Sequence, residues 1–129
     1  MRKIGLLLLL SFLISCGINK KDLMGKYSYQ GKETIDSLTI KEKIYIHKIY
    51  NKKSELMYEG ISRWNLDGND RITLFDFYNN EDNLLAEPLS KEDAKNFLMI
   101  ASFPFYKNGK SIIIEANSDD GFLYKKQNK

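Results

Sequence analysis

The 129-residue chain has one cysteine, Cys16, and one histidine, His47. A single cysteine excludes an internal disulfide and a CxxC metal or redox site. A single histidine excludes a multi-histidine metal centre. A histidine can act as a base, a metal ligand or a pH switch, but catalysis needs a carboxylate or nucleophile beside it. His47 lies among Ile46, Lys48 and Ile49. With no partner nearby in the sequence, we interpret it as a side chain on the face of a strand.

One segment offers the oxygen atoms that calcium prefers. A calcium loop supplies ligands at positions 1, 3, 5 and 12 of about twelve residues, with glycine at position 6. Here Asp70 stands at the glycine position, and the last position is Asp76 rather than glutamate. The oxygen-bearing residues of the segment are Asn65, Asp67, Asn69, Asp70 and Asp76. We interpret them as a solvated hairpin tip and predict no metal site.

No sequence motif for catalysis is present. Hydrolysis of a glycoside needs two carboxylates at a set separation, and nothing in the sequence singles out a pair. G-x-S-x-G, G-x-G-x-x-G and P-loop patterns are absent as well. We therefore expect no enzyme and no cofactor. The scattered carboxylates considered are Glu33, Asp36, Glu42, Glu55 and Glu59.

The composition indicates one folded domain. Charged residues make up 29% of the chain, with 20 lysines and arginines against 17 acidic residues. This near balance argues against a nucleic-acid partner. Aromatic residues make up 12% of the chain, which is atypical of disordered proteins.

The N-terminus predicts export and lipidation. Arg2 and Lys3 precede an apolar run from Ile4 to Ile14, which is too short to span a bilayer and fits a secretory signal. The following Ser15 and Cys16 complete a segment that resembles a bacterial lipobox. The resemblance implies a thioether-linked lipid on Cys16, cleavage after Ser15 and acylation of the new terminus, with palmitate as the expected chain. A buried inert thiol and an uncleaved anchor are the alternatives.

These features divide the chain into three parts. Residues 1–15 are the predicted signal peptide, 16–22 the lipidated cysteine and tether, and 23–126 the folded domain. Several acyl chains anchor a protein stably where one would not. We therefore expect a lipid-anchored protein of the bacterial cell envelope. Gly17 stands where an aspartate would signal retention at the inner membrane, which favours the outer membrane.

Runs of β-branched and aromatic residues recur along the domain, separated by turn signals. Asp67-Gly68 and Asn108-Gly109 predict tight turns that require positive φ. Strands at this spacing, without alternating helices, predict an all-β antiparallel meander that closes wholly or partly into a barrel. The expected strands lie near residues 23–30, 35–40, 44–50, 56–58, 61–66, 71–78, 111–116 and 122–126.

One short helix is predicted over residues 91–101. Ser90 and Asp93 form an S-x-x-D pattern close to a capping box. Pro104 ends any helix by residue 103. A strand over residues 96–106 is the alternative. The apolar residues at helical spacing are Ala94, Phe97, Leu98 and Ala101.

A set of short motifs resembles the small lipocalin-like lipoproteins of bacteria. Gly25-Lys26-Tyr27 matches the G-x-[WY] that opens such chains. A glycine-to-tryptophan segment, Gly60 to Trp64, precedes Asp67-Gly68 and an I-x-L strand at Ile72 to Leu74. The resemblance implies a barrel that binds something or serves as an accessory surface.

Aromatic residues on the strands suggest where binding occurs. The segment Arg71 to Tyr78 places Ile72 and Leu74 on one face and Phe75 and Phe77 on the other. A strand that is apolar on both faces either packs under the predicted helix at 91–101 or lines a ligand cavity, and for the cavity we predict Trp64, Phe75 and Phe77 as the ligand-binding residues.

Two functions remain open at this stage. The first is a non-catalytic binding module for a small apolar ligand or an envelope protein. The second is a protein-interaction factor, such as an inhibitor, an immunity factor or an assembly accessory. It would work through the loops at residues 79–87 or 117–121.

Overall fold

The structure is a computed structural model that describes residues 17–80, 85 and 87–128. Its strands form a closed antiparallel barrel of eight, in which each strand pairs with the next and the last pairs with the first. The all-β barrel predicted from the sequence is confirmed. The strands are β1 (Gly25–Gln30), β2 (Thr34–Ile40), β3 (Ile44–Asn51), β4 (Leu56–Asp67), β5 (Arg71–Tyr78), β6 (Leu98–Asn108), β7 (Ser111–Asn117) and β8 (Phe122–Lys126).

Alternation along the strands fills the interior. On β3, Tyr45, His47 and Ile49 point inward and are buried, while Ile44 and Ile46 are more exposed. The predicted tight turns are present, with φ of +70° at Gly68 and +67° at Gly109. Closure pairs each of the eight described strands with a neighbour on both sides, which is how a small all-β domain avoids edge-to-edge association.

A short helix, α1 (Lys20–Leu23), covers one end of the barrel. Asn19 and Asp22 form a capping box at its start. Leu23 is fully buried in the barrel core, and its carbonyl oxygen accepts a hydrogen bond of 2.7 Å from the Tyr27 hydroxyl. The predicted tether of residues 16–22 is therefore partly folded, because its last residues belong to α1.

The second helix, α2 (Lys91–Ala94), begins where the sequence predicted. The Ser90 side chain accepts a hydrogen bond of 3.1 Å from the Asp93 amide. Its length is shorter than the predicted 91–101, because a 3-10 turn (Lys95–Phe97) follows and β6 begins at Leu98. Pairing with β5 overrides the helical spacing of residues 98–101. The alternative prediction, a strand over residues 96–106, is therefore correct from Leu98 onward.

A bulge in β5 changes which aromatic residue faces inward. The register to β6 shifts between Leu74 and Phe77, and Asp76 has a positive φ of +50°. The extra residue reverses the alternation. Phe77 therefore joins the interior face and is fully buried, while Phe75 lies half-buried on the outer wall. The prediction that Phe75 and Phe77 share a face is wrong.

The two ends of the barrel carry different elements. The end where β1 begins, termed the N-terminal end, holds α1 and the turns at 41–43, 68–70 and 109–110. The opposite end, termed the loop end, holds α2, the long β5–β6 connection and the turns at 31–33, 52–55 and 118–121.

Candidate functional site

A polar cluster is buried inside the barrel between β2, β3 and β8. A hydrogen bond of 2.6 Å joins His47 Nε2 to Asp36 Oδ1. The Tyr124 hydroxyl donates to the same oxygen over 2.8 Å. Asp36 and Tyr124 are 0% exposed and His47 is 1% exposed. The cluster therefore links β2 and β3 to β8, the last strand of the barrel.

The β2–β3 hairpin places the first two members. His47 is paired with Leu38, so Asp36 is the next inward residue along β2. Diagonal neighbours on one face of a sheet lie within reach of long side chains. The Asp36–His47 contact therefore follows from the hairpin register.

Aromatic rings enclose the imidazole. The His47 ring is stacked on Phe77, with ring centroids 4.9 Å apart and an interplanar angle of 5°. Tyr58 meets it edge-on, with centroids 5.6 Å apart. His47 is therefore held on two sides by apolar surface.

Two polar atoms of this cluster have no hydrogen-bond partner in the part of the chain described: Asp36 Oδ2 and His47 Nδ1. Burial, with the adjacent Asp36 carboxylate, raises the pKa of Tyr124 well above its usual range. Tyr124 therefore stays protonated and keeps its role as donor. An Asp–His pair can move protons, but only where a substrate can reach it. The enclosure of this pair supports a structural role across the barrel.

The three residues predicted to bind a ligand separate in the structure. Trp64 and Phe77 are in the core, at 3% and 0% exposure. The Trp64 indole N–H donates to the carbonyl oxygen of Lys41 over 2.7 Å. Phe75 lies on the outer wall, with the Arg63 guanidinium carbon 3.8 Å from its ring centroid. The barrel thus places Trp64 and Phe77 in the same core and leaves Phe75 outside.

Rings of the protein itself occupy the interior where a ligand cavity was predicted. Phe77 contacts the rings of Tyr45 and Phe103, and Phe122 contacts those of Tyr29 and Tyr124. Close packing of this kind leaves few voids. Ligand binding by Trp64 and Phe77 stays a prediction, and it would require these rings to move apart.

A cleft of about 190 Å³ lies on the outer wall toward the loop end, between β4, β5 and α2. Its apolar walls come from Tyr58, Ile61, Ala94 and Leu98. Its charged groups come from Glu59, Asp76, Lys91 and Lys95. Ile61 is 55% exposed. The cleft combines apolar walls with two ammonium and two carboxylate groups, which suits a small apolar molecule with polar groups at its edge.

Tyr58 separates this cleft from the buried cluster. Its ring lies against Gly60, where an added Cβ would collide with the Tyr58 hydroxyl and ring. Burial raises the pKa of Tyr58, and the nearby Tyr78 and Asp76 add to the effect. Since Tyr58 also contacts His47 edge-on, one ring forms both the wall of the cleft and a wall of the polar cluster.

The oxygen-rich segment at the β4–β5 turn is a hairpin tip. Asp76 is remote from the tip, and its Oδ2 accepts a hydrogen bond of 2.9 Å from the Ser62 hydroxyl. Among the described residues, no group of three or more His, Cys, Asp or Glu side chains could hold a metal ion.

No family model, curated protein or solved structure matches the chain. Cys16 and the predicted signal peptide lie outside the described residues. Within residues 17–80, 85 and 87–128, no helix is long and apolar enough to cross a membrane.

Sequence reasoning missed two parts of this region. The Asp36–His47 pair was accessible in principle, because the 41–43 turn fixes a hairpin in which both residues face inward. Tyr124 is 88 residues from Asp36, and no local pattern points to their contact.

Proposed function

We propose that the chain is a non-catalytic binding module of the bacterial envelope, held at the outer membrane by a lipid on Cys16. The signal-like residues 1–15 and the lipobox-like segment support the anchor. The enclosure of the Asp36–His47 pair supports a binding role rather than catalysis.

The ligand site in this proposal is the outer-wall cleft rather than the barrel interior. The observation that carries it is the contrast between an interior filled with aromatic rings and a cleft of about 190 Å³ beside Tyr58. Lys91 and Lys95 lie one helical turn apart at its margin and offer two cationic contacts to a ligand, while Glu59 and Asp76 line the same cleft. The expected ligand is a small apolar molecule with one anionic group.

Binding of a fluorescent apolar anion, anilinonaphthalene sulfonate, tests the cleft. Replacing Lys91 and Lys95 with glutamine should weaken binding about five-fold, since each exposed charge contributes about 0.5 kcal/mol and the two together about 1 kcal/mol. The neutral analogue phenylnaphthylamine should bind unchanged. Lys52→Gln with Lys53→Gln is the matched control, because both side chains are exposed at the loop end outside the cleft.

The apolar part of the cleft is tested separately. Ile61→Ser should weaken binding of both probes. Leu66→Ser, on the same strand but outside the cleft, should leave both unchanged. Equal binding by the Ile61 and Leu66 variants would remove the cleft from the proposal.

A protein partner is the second candidate function. Phe97 and Ile100 are 63% and 66% exposed, and Met99 beside them is 43% exposed. Exposed apolar residues that form a contiguous patch are typical of interaction sites. This function predicts a stoichiometric partner in detergent extracts. The partner should be lost with Phe97→Ser and Ile100→Ser together, and retained with Leu66→Ser.

A further inference from the structure

The N-terminal end of the barrel is rich in lysine. Exposed ammonium groups project from α1, from the 41–43 turn and from the β6–β7 hairpin. They belong to Lys20, Lys21, Lys41, Lys43, Lys107 and Lys110. Fewer carboxylates stand among them: Asp22, Glu42, Asp67 and Asp70. This end therefore has a positive potential, although the whole chain is close to neutral.

The loop end has no such excess within the part described. Its described turns and helical residues carry five lysines, Lys32, Lys52, Lys53, Lys91 and Lys95, against seven acidic residues, Glu33, Glu55, Glu87, Glu92, Asp93, Asp119 and Asp120. The charge of the domain is thus polarised along the barrel.

Apolar side chains are exposed among the lysines of the N-terminal end. Ile44 begins β3, Leu66 lies near the end of β4 and Tyr106 near the end of β6, and each is 38% exposed. Lysines around exposed aliphatic and tyrosine side chains are typical of surfaces that lie in the headgroup region of a bilayer.

The chain reaches its lipidation site from this same end. Gly17 and Ile18 share a cleft with Asn69, Phe105 and Lys107, all at the N-terminal end. Helix α1 is fixed to the barrel by the buried Leu23 and by a hydrogen bond of 2.5 Å from Lys126 Nζ to the carbonyl oxygen of Asp22.

The free connection to Cys16 is therefore short. Only Gly17, Ile18 and the cap residue Asn19 lie between Cys16 and α1. Three extended residues span about 10 Å. Charge attraction reaches about 8 Å at physiological ionic strength. A lipid on Cys16 would therefore hold these lysines within about 10 Å of the membrane surface, which is close to the range of charge attraction.

We propose that the N-terminal end of the barrel is a membrane-contact surface that binds anionic phospholipid headgroups. This inference rests on the proposed lipid anchor. The barrel then stands on the membrane with its loop end away from it, and the cleft beside Tyr58 opens toward the aqueous space. Each lysine near an anionic surface strengthens binding about five-fold.

Lysine accessibility tests the orientation. The lipidated protein, extracted from its host, is placed in nanodiscs of anionic or zwitterionic phospholipid and treated with an amine-reactive reagent, and labelling is read by peptide mass spectrometry. Lys41 and Lys43 should be protected several-fold in anionic discs, and high salt should remove the protection. Lys52 and Lys53 should label equally in both. Equal labelling at both ends in anionic discs would overturn the inference.

Paired variants test the electrostatic cause. Lys41→Gln with Lys43→Gln should lower the preference for the docked orientation about 25-fold, which exposes Lys107 and Lys110 to the reagent. Lys52→Gln with Lys53→Gln removes the same charge from the loop end and should keep Lys107 and Lys110 protected. Unchanged protection in both double variants would contradict an electrostatic contact.

Failure of the anchor is distinguishable from failure of the contact. A native chain whose mass shows no lipid contradicts the proposed function. The contact is then read by sedimentation of that native chain with anionic vesicles. Salt-sensitive binding that Lys41→Gln with Lys43→Gln abolishes would support the contact, and no binding would refute it.

Discussion

The Tyr124 hydroxyl is the most informative single group in the buried polar cluster. It donates to Asp36 Oδ1 over 2.8 Å, and no part of Tyr124 is exposed to solvent. Tyr124→Phe removes this donor and keeps the ring that packs against Phe122. Asp36 already has one oxygen without a partner among the described residues. The variant therefore leaves a buried carboxylate with His47 as its one remaining donor in the cluster.

The expected loss of stability follows from the charge of the acceptor. A hydrogen bond to a charged group contributes about 1.5–3 kcal/mol. We expect Tyr124→Phe to lower the free energy of unfolding by about 2 kcal/mol. In a domain of about this size each 1 kcal/mol lowers the Tm by about 4–8 °C. The melting temperature should therefore fall by roughly ten degrees.

Tyr29→Phe is the matched control for this experiment. The Tyr29 ring packs against Phe122 with centroids 4.5 Å apart, and its hydroxyl makes no hydrogen bond to any described residue. Tyr29→Phe should change the free energy of unfolding by no more than about 0.5 kcal/mol. Urea denaturation measures both variants, with an unchanged m value as the check on two-state unfolding. If the two variants lose the same stability, the cluster does not join β2 to β8 as described.

Two further predictions concern buried tyrosines and the wall of the cleft. Burial raises the pKa of several tyrosines above the ordinary value of 10.0, so above pH 10 the unfolded chain releases protons that the folded chain keeps. Stability should therefore be complete below pH 10 and fall above it, by up to about 4 kcal/mol per pH unit for three groups. The free energy of unfolding and the phenolate absorbance, each measured as a function of pH, check this prediction. An unfolding free energy that does not change above pH 10 would refute it. The groups are Tyr27, Tyr45 and Tyr124. Gly60→Ala should displace Tyr58 and cost about 1–3 kcal/mol. Urea denaturation measures the cost, and wild-type stability would show that Tyr58 moves freely.

The barrel was predictable because its signals are local. Three of the turns carry a glycine that supplies positive φ, at Gly68, Gly109 and Gly121, and the runs between turns favour strands. The start of α2 was also predictable from a local signal, because the Ser90 side chain accepts a hydrogen bond from the amide of Asp93, three residues along the chain. The end of α2 was not predictable in this way, because Leu98 pairs with Tyr78 of β5, which is distant in the sequence.

The candidate site was less predictable because it depends on register and closure. The bulge at Asp76 moves Phe77 to the inside and leaves Phe75 outside, and alternation alone places the two together. The contact of Tyr124 with Asp36 exists because the last strand closes on the first. The outer-wall cleft similarly needs α2 to fold back beside β4, which no sequence spacing indicates.

The intact mass of the protein extracted from the membranes of its own host tests the proposed anchor. The account predicts a chain that begins at Cys16, carries a diacylglycerol thioether and is acylated at its new N-terminus. An unmodified thiol on a chain that still begins at Met1 would contradict it.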